Sequence, residues 1–197
     1  GDFGRDNFLN LKEGERMVYF FATPKETDMF WGHALIIIAE STDENNESVY
    51  LYNPHEWFLI ARQESERECI SIITKKRRFL LTCGGKTSLD HSVVKEFDGN
   101  MSQYHMLEQT LFSKNNYYFN IIGDFIIEAW IDLSIANKIE DLYYSEKLLT
   151  NEIREKLVKI VEGKGRTKFS ISRNEKKANK LRKQKKNSTQ NKYRQRL

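Results

Sequence analysis

Cysteine and proline are nearly absent, with two of each in 197 residues. Cys69 and Cys83 share no CxxC spacing and lie in apolar, strand-like surroundings. That argues against a zinc site and a disulfide framework, and it implies a reducing compartment. No metal and no cofactor is expected. Long apolar runs are missing too: a stretch such as Ala34–Ala39 falls far short of the roughly 20 residues of a membrane span. No signal or transit peptide is recognisable, and no internal repeat is seen. The chain starts at Gly1 rather than Met, so it is expected to be either a processed product or an artificially trimmed piece, and its length suits one ordinary domain plus an appendage.

Acidic residues are scarce at one end. From Arg173 to Leu197 there are 11 Lys or Arg against the single acid Glu175; of the chain's totals of 32 and 28, that leaves 21 against 27 for the first 172 residues. An acidic body therefore carries a basic tail. A segment so poor in apolar residues cannot offset its ordering entropy, so residues 164–197 are expected to be disordered and residues 1–163 to form the folded domain. The tail's charge suits a polyanion, either RNA or an anionic membrane surface, held without sequence preference by Lys176, Lys177, Lys180, Arg182, Lys183, Lys185, Lys186, Lys192, Arg194 and Arg196. The plainer reading is a solubilising extension.

Along the chain, "RMVYFFA" (16–22) is rich in aromatic and β-branched residues and ends before Pro24, as a strand does. "GHALIII" suits a strand buried on both faces, followed by the polar loop "STDENNES". "VYLYN" (49–53) is a strand stopped by Pro54. "EWFLIAR", "ECISIIT" and "RFLLT" add up to three more strands. The second half changes period. "MSQYHMLEQTLF" (101–112) spaces Met101, Tyr104, Leu107 and Leu111 as an amphipathic helix would. A second helix is expected from Asp124 to about Asn137. A third, capped by Ser145, carries Leu149, Ile153, Leu157 and Val161 at four-residue intervals and stops at Gly163. The order predicts an α+β domain: a small antiparallel sheet followed by helices.

Acyl transfer needs a nucleophile, a base within hydrogen-bond reach, and a group that orients the base. His33, at the mouth of an apolar run and preceded by Gly32, is a candidate base, although a lone histidine in such a place is more often structural. Asn53 and His55 in "VYLYNPHEW" are candidate orienters. Cys83 in "LLTCGGKTSLD" is a candidate nucleophile if the glycines open onto a helix at Ser88, whose N-terminus would lower the thiol pKa. Buried free cysteine is the commoner case. "CGGKTS" lacks the spacing of a phosphate loop and reads as a turn. The aromatic cluster Tyr117, Tyr118 and Phe119 reads as a core anchor in preference to a base-stacking platform.

The series "GERMVYFF", "FWGHALIII" and "VYLYN" resembles the first three strands of the lecithin:retinol acyltransferase-like, or H-box/NC-box, group. That group has a circularly permuted papain-like fold, and it includes 2A proteins of some picornaviruses. The resemblance covers roughly residues 14–135. It implies a cysteine at the start of a later helix, inside "YYFNIIGDFIIEAW", but aligning Phe125 puts Ile122 at the nucleophile position. "GHA" followed by a strand ending in Asn53-Pro54 also resembles the His and Asn half of papain-like cysteine proteases, which would need a cysteine upstream of this chain.

The resemblance thus implies a permuted papain-like domain without its nucleophile: a binding or regulatory protein, viral and 2A-type in that reading, acting in replication or host interaction. RNA or an anionic membrane would be held by the tail, with a protein partner besides. The cytoplasm is the expected compartment, the host's if the chain is viral, with nuclear or nucleolar access through the basic tail. The alternative is an active thiol acyltransferase or protease using His33 with Cys83 or with an upstream cysteine.

Overall fold

The computed structural model describes residues 7–42 and 47–193, with side chains through residue 186. Seven strands are present among these residues: β1 (Arg16–Phe21), β2 (Val49–Asn53), β3 (Phe79–Cys83), β4 (Ser102–Met106), β5 (Tyr117–Ile122), β6 (Phe125–Trp130) and β7 (Thr167–Arg173). They form one mixed sheet in the order β1-β7-β6-β5-β2-β3-β4. The class is α+β. The sheet is not the small antiparallel one expected from the first 83 residues.

One wing of the sheet is parallel. β2, β3 and β4 run side by side in the same direction, with Asn53 opposite Cys83 and Cys83 opposite Met106. Parallel neighbours need long crossovers. Here α2 (Phe58–Ala61) and α3 (Gln63–Thr74) carry the chain from β2 to β3, and α4 (Ser88–Phe97) carries it from β3 to β4. "EWFLIAR" and "ECISIIT" are therefore largely helical. The other wing is antiparallel, running β5, β6, β7, β1, and joins the first where β5 pairs with β2. Gly123 turns the β5–β6 hairpin at a φ of 59°, a conformation that costs glycine little.

The apolar run at 34–39 lies in a helix, α1 (Pro24–Ser41). Thr23 caps it by accepting from the Glu26 amide, and Pro24 occupies the first turn, where its missing N–H costs nothing. Phe30, Trp31, Ala34, Leu35 and Ile38 are buried at helical spacing. The interval 101–112 is also reversed: it starts as β4, because Tyr104 and His105 enter the sheet beside β3. Asp124–Asn137 holds β6 and the start of α5 (Leu133–Ser145). The third expected helix is present as α6 (Asn151–Glu162), capped by Thr150 rather than Ser145 and ending at Gly163.

The boundary at residue 163 does not separate a domain from a tail. β7 sits between β1 and β6, and its Phe169 and Ile171 are fully buried. After it comes α7 (Glu175–Tyr193), started by Asn174, whose side chain accepts from the Lys177 amide. Alternation along the strands gives the sheet two apolar faces. Tyr118, Ile122, Ile127 and Ala129 join the main core. Phe119, Ile121 and Ile126 face the other way and are covered by Ala178 and Leu181 of α7. The disorder expected of residues 164–186 is thus replaced by a central strand and a docked helix. No described helix is long and apolar enough to cross a membrane.

Candidate functional site

The residues singled out for acyl transfer divide between two places. His33 lies exposed on α1 with its ring 6.4 Å from Phe30, on a helix and not at the mouth of a strand. Ile122 is the last residue of β5 and belongs to the main core, so no helix begins there. His55 and Cys83 do come together, because the carboxyl ends of the parallel strands β2 and β3 are neighbours and the loops beyond them share one space, while the side chain of Asn53 turns to Glu56.

His55 is the centre of that space. Its Nδ1 lies 2.8 Å from Asp90 Oδ1 and its Nε2 lies 2.7 Å from Glu140 Oε2, while the ring stacks on Tyr143 at 4.4 Å. Burial opposes a charge on the ring, but the hydrogen bonds and charges of Asp90 and Glu140 outweigh it and push the pKa up to about 9. Near neutral pH the ring is therefore an imidazolium that donates to both carboxylates. Asp90 is fixed by the capping box of α4: its Oδ2 accepts from the Thr87 amide at 3.0 Å and from the Thr87 hydroxyl at 2.8 Å. Its partner Oδ1 also accepts from Cys83 Sγ at 3.3 Å.

Cys83 is fully buried, and burial together with the Asp90 and Glu56 charges holds its pKa well above the usual thiol range. A helix at Ser88 does follow, but it leaves Cys83 a protonated, enclosed thiol and not an activated nucleophile. Asn53 does not orient a histidine. Its amide donates to Glu56 Oε2 at 3.0 Å, and burial pushes the Glu56 pKa up to about 8. Asp90 and Glu140 were absent from the sequence reading. The Thr87-x-x-Asp90 spacing is a capping-box signal that would have found the first, with Thr87 as the cap and Asp90 as its partner, whereas nothing in the sequence points to Glu140. Although no CxxC spacing exists, His55 Nδ1, Cys83 Sγ and an Asp90 oxygen lie within 4.8 Å of one another, a grouping able to hold a metal ion.

The basic residues of α7 are not equivalent. Lys177 bridges Glu128 at 2.8 Å, and both Nη atoms of Arg182 donate to the Gly123 carbonyl. Lys185 is buried, donates to the Leu80 carbonyl, and lies 5.1 Å above the Tyr50 ring; burial holds its pKa well below the usual lysine value. Lys176, Lys180, Lys183 and Lys186 are exposed. The side chain of Lys192, and Arg194 and Arg196 entirely, lie outside the described residues.

Beside α7 runs a groove of about 470 Å³, lined among others by Phe112, Tyr117, Trp130, Lys114, Lys177 and Lys180. The rings form a continuous series: Phe112 to Tyr117 at 5.1 Å, then Tyr117 to Trp130 at 5.5 Å. Lys168 Nζ stands 5.1 Å over Trp130. Glu128, the acid in the groove, is engaged by the Tyr117 hydroxyl at 2.6 Å and by Lys177. Of the aromatic cluster read as a core anchor, Tyr118 and Phe119 are buried as expected, while Tyr117 is only half-buried and faces this groove.

No protein-family model matches the chain, and no curated protein sequence does. Two solved structures are similar to it along most of its length. NucT from Helicobacter pylori is 12% identical, over 89% of this chain and 97% of its own, with a TM-score of 0.48. TrmBL2, an archaeal chromatin protein described as showing a novel mode of DNA binding, is 11% identical, over 93% of this chain and 55% of its own, with a TM-score of 0.43. At those scores neither carries a functional argument.

Proposed function

We propose that the protein binds single-stranded nucleic acid in the groove between α7 and the β5–β6 hairpin, without sequence preference. The observation that carries this is the convergence of three partly exposed rings and several cations on one open concavity. Stacking on aromatic faces and phosphate neutralisation by lysine together hold single strands of any sequence. Phe112, Tyr117 and Trp130 are the stacking surface; Lys114, Lys168, Lys177 and Lys180 meet the phosphates, and Lys176 and Lys183 extend the positive surface along α7. The H-box/NC-box resemblance is kept only in its negative half: no thiol acyl transfer, because Cys83 is an enclosed thiol and His33 stands on a different element.

The test is fluorescence anisotropy of the full chain with short labelled single strands, duplexes and anionic vesicles. With four phosphates engaged, affinity for single strands should fall roughly fiftyfold between about 50 and 200 mM salt. Trp130→Ala should weaken binding about tenfold or more, since one stacked base is worth roughly 1–3 kcal/mol. Lys180→Gln should reduce the salt slope by about 0.7. Affinity indifferent to Trp130→Ala, or binding to vesicles but not to single strands, refutes the proposal.

A further inference from the structure

We infer that His55, Cys83 and Asp90 form a site for a single transition-metal dication of the zinc type, with Glu140 orienting His55 from behind. This inference rests on a different part of the molecule from the nucleic-acid groove and is independent of it.

The three donors come from separate segments: the loop after β2, the last residue of β3 and the first turn of α4. Strand pairing and the α4 capping box, not sequence spacing, bring them together. Nδ1 and Oδ1 are 2.8 Å apart, Sγ and Oδ1 are 3.3 Å apart, and all three donors lie within 4.8 Å of one another. A tetrahedral ion with bonds of roughly 2.0 Å to N and O and 2.3 Å to S requires its donors about 3.3–3.6 Å apart. The triangle therefore needs to open by about half an ångström at its shortest edge and to close by as much as about 1.3 Å between Nδ1 and Sγ, which lie within 4.8 Å of each other.

Glu140 adds a second, independent observation. Metal-bound histidines usually give their remaining N–H to a carboxylate, which fixes the tautomer and turns the other nitrogen toward the ion. Here Nε2 faces Glu140 at 2.7 Å, so the nitrogen left for a metal is Nδ1, the one beside Cys83 and Asp90. The ligand loop is also built for close approach. A Cβ on Gly85 would come within 2.6 Å of both Asp90 Oδ2 and His55 Cε1, and one on Gly84 within 2.6 Å of the Tyr52 hydroxyl. The chemistry of the set is one nitrogen, one sulfur and one carboxylate oxygen. Thiolate favours zinc, cobalt or copper over magnesium and calcium, which take all-oxygen cages. On binding, the ion takes the place of two protons, one from Sγ and one from Nδ1, and both leave to the buffer.

The experiment uses the full chain, stripped with chelator and kept reduced, titrated with Co²⁺ and then Zn²⁺. The expected result is one equivalent of Co²⁺ giving a thiolate-to-metal charge-transfer band and tetrahedral d–d bands, both abolished by one equivalent of Zn²⁺. Zn²⁺ at a hundredfold excess over Kd should raise Tm by about 5–10 °C. Cys83→Ser, which keeps a hydroxyl donor to Asp90, should lose the charge-transfer band, and Cys69→Ser should keep it. Glu140→Gln retains all three ligands and should weaken affinity about 10- to 100-fold. If Cys83→Ser fails to fold, Glu140→Gln and Cys69→Ser still decide the matter. No 1:1 spectrum in the parent chain, or a band that survives Cys83→Ser, overturns the inference and leaves His55 as the centre of a purely hydrogen-bonded cluster. Oligonucleotide affinity, measured on the same samples, stays unchanged in every case if the groove reading holds.

Discussion

Whether α7 is a docked helix or a solvated basic tail is decided by Leu181→Ala. Leu181 retains 7% of its accessible surface and packs with Ala178 against Phe119, Ile121 and Ile126. Truncating a buried leucine removes its transfer free energy and leaves a cavity, at roughly 2.7–5.0 kcal/mol in a rigid core. Leu181 lies beside an open groove that can collapse, so the lower end applies, about 2–3 kcal/mol. For a chain of this size that is a fall in Tm of about 4–12 °C. Ala178 is fully buried, and Ala178→Leu should cost about 1–3 kcal/mol by overpacking. In a free helix the two changes exchange one good helix former for another and do almost nothing. Thermal and urea melts of both variants, with limited trypsin digestion at the α7 lysines, are the assay. Losses within about 0.5 kcal/mol for both, the size of ordinary surface substitutions, would refute the docked helix and with it the groove.

Three further outcomes follow from the same contacts. Glu66 has its pKa raised well above the carboxylate range, by burial first and then by the charge and hydrogen bond of Asp28. Its folded pKa exceeds its unfolded one, so its contribution to stability is fully present below the ordinary glutamate pKa and is lost as pH rises through the folded value. Denaturation midpoints between pH 4 and 8 should therefore fall in the parent chain relative to Glu66→Gln, and parallel curves would contradict this. Both thiols are buried, with their pKa pushed up by burial, so an aromatic disulfide reagent should modify neither Cys69 nor Cys83 until the chain is unfolded. Fast native labelling of Cys83 would instead favour the thiol-enzyme alternative. Gly85→Ala should destabilise the fold by about 1–3 kcal/mol through its clash with Asp90 and His55, read in urea melts. A neutral result would mean that the loop is looser than described.

The helix α6 was legible in the sequence because one period dominates it, the four-residue spacing from Ile153 to Val161, and the strands β1, β2 and β3 were legible from aromatic and β-branched composition and from the stops at Pro24, Pro54 and Gly84. Where short apolar runs were read by composition, isoleucine misled. "GHALIII" and "ECISIIT" are β-rich in type yet helical in α1 and α3. Tertiary burial at i, i+3 and i+4 overrides a weak preference of this kind. The cap Thr23-Pro24-x-Glu26 was the better guide, since it states where a helix begins and no strand can use it. In "TKFSISR" the alternation of Phe169 and Ile171 with polar residues was present as well. It was passed over because the tail was drawn from residue 164, although the basic run begins only at Arg173.

The sites show a different limit. A cluster built on a parallel wing takes its members from the ends of neighbouring strands, so their spacing along the chain is set by the crossovers and carries no motif. His55 stands 35 residues before Asp90 for that reason, while Cys83 is only seven residues before it, and Glu140 arrives from α5, an element packed on α4 whose placement is tertiary. Asn53 and His55 were singled out as orienters of His33, and Cys83 as its nucleophile. Two of these three meet, but around Asp90, whose one sequence signal is its place three residues after the cap Thr87. The groove has the same origin. Tyr117 and Trp130 are register partners across the β5–β6 hairpin, so their rings share one face only once that hairpin exists, and the lysines meet them only once α7 folds back over the sheet. Net charge was legible from composition, and it pointed to a polyanion. The aromatic side of the groove needed the strand register, which is why the basic segment alone read as a tail suited to phosphates and why the stacking surface proposed above was not chosen in the sequence reading.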